Sequence, residues 1–203
     1  MVRLAARRPL FHSEADFQHE LAWELRSAGA ADVRVERPVT VEGPDGSGSR
    51  RLNLDLLIKL AGKRVAIELK YWTRRLRLSH GGEDFNLADQ GAQDQKRFDF
   101  WADVSRLEAL VAQGVVDAGF AIALSNDTGY WKQGRTGTTD EGFRLHHGRA
   151  VEGTLAWAEN TSAGTKGLRS DSLALRGRYS VLWQPYSTPA NCELRFLQVE
   201  ASG

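Results

Sequence analysis

Asp55, Glu68 and Lys70 are the residues whose types and spacing could do chemistry in this chain. Glu68 and Lys70 stand two apart in "RVAIELKYW" (64–72), where apolar and polar residues alternate as in a half-buried β-strand, so both point to one face. Asp55 lies in a second alternating stretch, "RLNLDLLIKL" (51–60). Only "AGK" separates the two, which predicts a β-hairpin.

The register of that hairpin decides which groups meet. With Ala61 and Gly62 as the turn, Leu60 pairs with Lys63 and Asp55 falls opposite Glu68. With Gly62 and Lys63 as the turn, Asp55 faces Lys70 and Glu68 lies diagonal to it. Directly opposed Cβ atoms are about 4.5–5.5 Å apart. Two carboxylates at that range repel unless a cation lies between them or one takes up a proton. Together with a nearby backbone carbonyl they would form a hard oxygen donor set suited to Mg²⁺ or Mn²⁺ rather than Zn²⁺. Such an ion activates water and neutralises charge on a phosphate, while Lys70 could orient the water or stabilise pentacovalent phosphorus. The competing reading is a solvated face whose cross-strand ion pairs add roughly a few tenths of a kcal/mol.

The elements that must position these groups are legible around them. Ser13 stands as a helix N-cap, with Glu14 and Asp16 in the first turn, and Phe17, Leu21, Leu25 and Ala28 recur at helical spacing up to Gly29. "VRVERPVTV" (33–41) reads as a strand, with Pro38 arguing for an edge or a bulge, and "EGPDGSGS" (42–49) reads as a turn. On the hairpin, Leu54, Leu56, Ile58 and Leu60 with Val65, Ile67, Leu69 and Tyr71 make one apolar face. A helix is predicted from about Leu87 to Gln113, its stripe formed by Phe98, Trp101, Val104, Leu107 and Val111, and "GFAIALSND" (119–127) suits a buried central strand. Beyond Tyr130, "KQGRTGTTDEG" (132–142) reads as a mobile loop. Strands are predicted at 153–158, 172–183 and 192–200, extending the same sheet or adding a small subsheet.

The 203 residues are 41% hydrophobic and 26% charged, which suits a single soluble domain able to bury a core. A net charge of +1 gives no global argument for a nucleic-acid or membrane partner. One cysteine, Cys192, excludes an internal disulfide and reads as a packing residue, and no apolar run reaches the length of a membrane span. A reducing, cytoplasmic setting is the expectation.

With "LD" at Leu54–Asp55 and "ELK" at 68–70, the chain resembles the PD-(D/E)XK nuclease superfamily. The resemblance implies an α/β fold of restriction-endonuclease type: an α-β-β-β-α-β core over 13–127 with a mixed central sheet flanked by helices. Residues 128–203 then form a loop and β-rich C-terminal extension of the same domain. It also implies an Mg²⁺- or Mn²⁺-dependent nuclease cutting DNA, with Asp55, Glu68 and the Leu69 carbonyl on the metal and Lys70 beside the attacking water. In that family the first helix supplies a further acid, and in "HELAWELRSAG" Glu20 is the match, ahead of Glu14 and Glu24. The alternative is a nuclease-like fold kept as an inactive nucleic-acid-binding or protein-interaction module. A homodimer is compatible with either.

Basic residues surround the hairpin: Arg50, Arg51, Lys59, Lys63, Arg64, Arg74, Arg75 and Arg77. They read as a solvated surface or, beside a metal site, as a rim contacting phosphates without reading sequence. Gln90, Gln93 and Arg97 share a helix face turned to the site or to solvent, and Trp72 is either core or a stacking platform for a base. Asn126 and Asp127 read as caps of a turn, and the adjacent His146 and His147 point apart on a strand.

Overall fold

The computed structural model describes residues 1–42 and 48–203, so most of the turn predicted at 42–49 lies outside the described residues. The chain opens with α1 (Val2–Arg7) and α2 (Glu14–Ser27). Ser13 caps α2 by accepting the Asp16 N–H at 3.1 Å, Phe17 and Leu21 are buried, and Gly29 takes a φ of 102° beyond the helix end.

Three antiparallel strands follow as a meander: β1 (Asp32–Glu42), β2 (Ser49–Leu60) and β3 (Lys63–Trp72). The turn between β2 and β3 is the two-residue Ala61–Gly62 pair, with φ of 50° and 81°, and Leu60 pairs with Lys63. Positive φ at both central residues matches the right-handed twist of the strands, as in a type I′ hairpin. β1 is an edge strand and tolerates Pro38, which has no N–H to donate.

A second hairpin, β4 (Leu76–His80) and β5 (Glu83–Leu87), turns through Gly81 and Gly82 and buries Phe85 and Leu87. The helix predicted from Leu87 therefore begins later, as α3 (Gln93–Ala112), because 83–87 are spent in a strand and Ala92 takes a left-handed φ of 55°. Then come β6 (Ala118–Ser125), β7 (Ala150–Ala156), α4 (Ala163–Lys166), β8 (Ser172–Ser180), β9 (Gln184–Ser187) and β10 (Leu194–Ala201).

Six strands form one mixed sheet in the order β1-β2-β3-β6-β10-β9, in which β3 and β6 are parallel and the other pairs antiparallel. The C-terminal strands do both things expected of them: β10 extends this sheet, and β7 with β8 makes a separate pair. The result is a mixed α/β architecture. α1 and α2 cover one face, where Phe17 and Leu21 meet Ile58, Ile67, Leu69 and Leu124; α3 and the β7–β8 pair cover the other, where Trp101, Val104 and Leu107 meet Ala66, Ala121 and Ala123. Small residues on β3 and β6 let α3 approach, and Gly119 is required there because a Cβ would stand 2.9 Å from Leu107 Cβ. Leu54 departs from the expected apolar face and joins the α3 core, while Leu56 and Ile58 stay on the α2 side. Among the described residues no helix is long and apolar enough to cross a membrane.

Candidate functional site

The change of face at Leu54 has a local cause. Paired positions between β2 and β3 end at Leu56 and Ile67, and the ladder to β1 skips the one pair that would join Glu36 to Asp55. Glu36 takes a φ of 51°, a left-handed backbone that costs a non-glycine residue about 1–2 kcal/mol. The gap is filled by side chains. Asp55 Oδ2 accepts the Leu69 N–H at 2.6 Å, and Glu14 Oε2 accepts the Tyr71 N–H at 2.7 Å. Gln18 Nε2 donates to the Asp55 carbonyl at 2.9 Å and to Glu36 Oε1 at 2.8 Å. Two backbone donors of β3 that a strand would normally satisfy are thus held by carboxylates. The carbonyl of Leu69 points to the same side as its N–H.

On the α3 side, the expected polar face of the hairpin is covered instead of solvated. Glu68 is 3% exposed. Asp103, on the buried face of α3, stands 2.6 Å from Lys70 Nζ, and Arg106 Nη2 pairs with both Asp103 and Glu68, the latter at 3.3 Å. Glu68 Oε1 and Asp103 Oδ2 are buried, and the ion pairs with Arg106 and Lys70 are what holds them. Four carboxylates, Glu14, Asp55, Glu68 and Asp103, therefore meet two cations, Lys70 and Arg106.

The excess of negative charge appears in the titration of the group. Burial raises Glu68, with Asp103 and Asp55 adding to it against Arg106 and Lys70, and its carboxyl is pushed up to about 9. Burial likewise raises Asp55, opposed by the Leu69 N–H and Lys70, and raises Glu14, opposed by the Tyr71 N–H and Lys70. For Lys70 burial acts downward, but Asp103, Asp55 and Glu14 outweigh it and hold the ammonium above its ordinary value. Lys70 is a donor of charge and hydrogen bonds here, not a base.

A cleft of about 670 Å³ opens onto the Lys70, Asp103 and Arg106 side of this group, with Arg50 and Arg169 also on its walls and the fully exposed Leu168 at its rim; Glu14, Asp55 and Glu68 are not among its lining residues. Arg169 is committed to Asp99 through two bonds of 2.7 and 2.6 Å. Asp55, Glu68 and Lys70 are thus brought together, and Glu14 joins them. Glu20 does not: it pairs with Arg7 of α1 at 2.6 Å, and the acid of α2 that bonds β3 is Glu14 in the first turn.

The basic cluster divides along β3. Lys59, Lys63 and Arg64 sit at the hairpin turn, where Arg64 pairs with Asp117; Arg74 and Arg75 lie past the other end beside Asp89, and Arg77 bonds Asn86 on β5. Arg50 alone of these lines the cleft, with Arg51 exposed next to it. Gln90 accepts from Lys96 at 2.6 Å, whereas Gln93 is held between Asp127 and Arg97 and is not free to reach a ligand. Trp72 is core, stacked on Tyr130 at 4.2 Å. Asp127 caps a turn by accepting the Gly129 N–H, and Asn126 accepts the Arg74 N–H.

Sequence reasoning missed Gln18, Asp103 and Arg106. A signal existed for Asp103, an acid flanked at helical spacing by Phe100 and Leu107 on the core face of α3. Among the described residues no three His, Cys, Asp or Glu side chains form a metal-ligand group. The donor set nevertheless fits a hard divalent cation, because buried, mutually repelling oxygens with raised proton affinity are what such an ion relieves.

No family model matches the chain, and no curated protein matches it. A solved structure titled "Crystal structure of SSO0001" is similar over 55% of this chain and 47% of its own, at 18% identity and a TM-score of 0.29. The chain spans about half the length of that protein, and a likeness of this degree carries no argument.

Proposed function

We propose that the protein is a metal-dependent phosphodiesterase of the PD-(D/E)XK type, with a restriction-endonuclease-like core and DNA as its substrate. One observation carries the reading: a desolvated Glu68 and its neighbour Lys70 share a buried group with Asp55 where the β2–β3 ladder ends. Burying a carboxylate costs stability even beside a partner such as Arg106, and strongly perturbed carboxyls gather at functional sites. Asp55, Glu68 and the Leu69 carbonyl would hold Mg²⁺ or Mn²⁺. When bound, the ion supplies water activation and neutralises charge on the phosphate.

The other steps belong to the chain. Lys70, kept protonated, donates to an oxygen of the phosphate or to the attacking water once it is exchanged from Asp103. Asp103 and Arg106 are positioning residues that hold Lys70 and Glu68 in line before substrate arrives. Arg50 and Arg51 offer charge to the backbone of the nucleic acid.

The reading is tested by incubating plasmid, linear duplex, single-stranded DNA and RNA with Mg²⁺ or Mn²⁺ against EDTA. Asp55→Ala and Lys70→Ala are each expected to lower cleavage by at least about 10²-fold. Cleavage untouched by both would sink the site. The Lys70–Asp103 and Arg106–Glu68 pairs, which close the group on itself, favour a second reading as a nucleic-acid-binding module. Retention of DNA in a gel shift with no cleavage of any substrate would select it.

A further inference from the structure

The loop between β6 and β7 carries Arg135, Arg144, His146 and Arg149, and its fold is built rather than left to chance. Residues Glu141–Phe143 form a 3-10 turn whose Phe143 is fully buried. Gly142 is required in it, since a Cβ there would stand 2.4 Å from the Ala156 carbonyl oxygen. The Arg149 guanidinium binds the turn from within, donating to the carbonyls of Glu141 at 2.7 Å, Arg144 at 3.0 Å and Gly142 at 3.0 Å. The loop is tied to α3 by Arg97, which meets Asp140 at 2.5 Å with both side chains about 5% exposed or less.

This folding leaves a cleft of about 300 Å³ whose walls include Gln133, Arg135, Thr136, Arg144, His146 and Arg149. That volume is at the small end of ligand pockets. Three arginines on its walls, Arg135, Arg144 and Arg149, face one acid, Glu141. Asp140 is turned into the core toward Arg97 and Arg144, and the Glu141 carboxylate accepts the Gly137 N–H at 2.6 Å. Arg144 spends Nη2 on Thr138 Oγ1 at 2.8 Å and on Asp140, while its Nη1 lies 2.6 Å from where a Gly134 Cβ would be. A side chain at 134 would therefore displace the guanidinium. Among the described residues, neither Arg144 Nη1 nor the exposed Arg135 guanidinium has an acceptor. Burial first, then Arg149 and Arg144, hold His146 below its ordinary value, as a cationic surrounding would.

The geometry points to a phosphate-binding subsite in this cleft, distinct from the carboxylate group, with which it shares no lining residue. Arg135 and Arg144 supply charge-assisted donors, and Thr136 and His146 neutral ones. The ligand class is a phosphate-bearing molecule, whether a small phosphate or the phosphate of a nucleic acid. The assignment does not depend on metal binding at Asp55 and Glu68.

Calorimetric titration of the full chain with pyrophosphate, in EDTA and low salt, tests it without a metal that could recruit the probe elsewhere. Saturable binding is expected, weakened about tenfold or more by Arg135→Ala and by His146→Ala, each removing a donor. Arg178→Ala, a surface change on β8, should leave it unaltered. Arg135→Ala removes no internal bond, so its thermal unfolding should match the parent protein and keep the comparison clean. No binding at millimolar pyrophosphate, equal affinity in the Arg135→Ala/His146→Ala double variant, or equal affinity for sulfate would overturn the proposal. Competition by oligonucleotides names the source: displacement by both 5′-phosphorylated and 5′-hydroxyl strands marks a backbone diester, by the phosphorylated strand alone a terminal monoester, and by neither a small phosphate.

Discussion

Glu68 costs the folded protein more as pH rises, and this can be measured. The unfolded chain releases the proton near the ordinary value of 4.5, whereas the folded protein keeps it up to about 9. Between those values the folded state binds more protons, so this group's contribution to stability falls as pH climbs through the window. Urea unfolding in EDTA should show a decline from about pH 5 to 9 that Glu68→Gln, isosteric and uncharged, flattens; an unchanged slope would show that burial does not govern this carboxyl. A second residue-scale test separates two acids of α2. Glu14→Gln should lower metal-dependent cleavage by about 10–100-fold, as loss of an outer partner of a metal site does, and Glu20→Gln should leave it within about twofold. The reverse order would restore the sequence expectation. Glu20 matched the motif by its place in a string, but only the first turn of α2 approaches Tyr71 closely enough for a side chain to bond it. Asp55, Glu68 and Lys70 were legible because either two-residue turn brings them together, although the ladder ends at Leu56 and Ile67, short of an Asp55–Glu68 pair. Asp103 sits visibly on the core face of its helix, but its partner was not legible, because Lys70 lies 33 positions away in sequence and on another element.

At the scale of elements, local patterns carried most of the architecture and non-local ones were lost. α2, the β1–β2–β3 meander and β6 follow from caps, turns and apolar periodicity. The β4–β5 hairpin escaped notice because "LRLSHGGEDFNL" has short strands with few apolar residues, and its two glycines were the only strong mark. β9 is four residues long and owes its existence to pairing with β10. The Ala61–Gly62 turn, which sets the register of the site, is locally imperfect. Alanine at a φ of 50° bears a steric cost that asparagine largely avoids. Ala61→Asn should stabilise the protein by about 1 kcal/mol in urea unfolding with cleavage unchanged. A loss of stability would mean that the turn is not held in this conformation.

For the whole molecule, the charge balance of +1 conceals two separate concentrations: an acid-rich group under α3 and a basic cleft in the β6–β7 loop. Composition cannot reveal such segregation, because only the fold brings distant charges into one place. The mixed sheet has a further consequence, and it concerns time. On one edge β3 meets β2 across a two-residue turn; on the other it runs parallel to β6, joining residues 65–72 to 118–125 through the whole α3 crossover. Hairpins close in about 1–10 μs, while pairings across long crossovers form later because the loop entropy must first be offset. Amides of 49–60 should therefore gain protection before those of 118–125 in pulse-labelled refolding, and simultaneous protection would contradict this order. Asp55 and Glu68 then become neighbours in open water, and Asp103 arrives only with the crossover. On that order the newborn chain would pass through an interval in which its two acids stand close and hydrated, before α3 shuts them in.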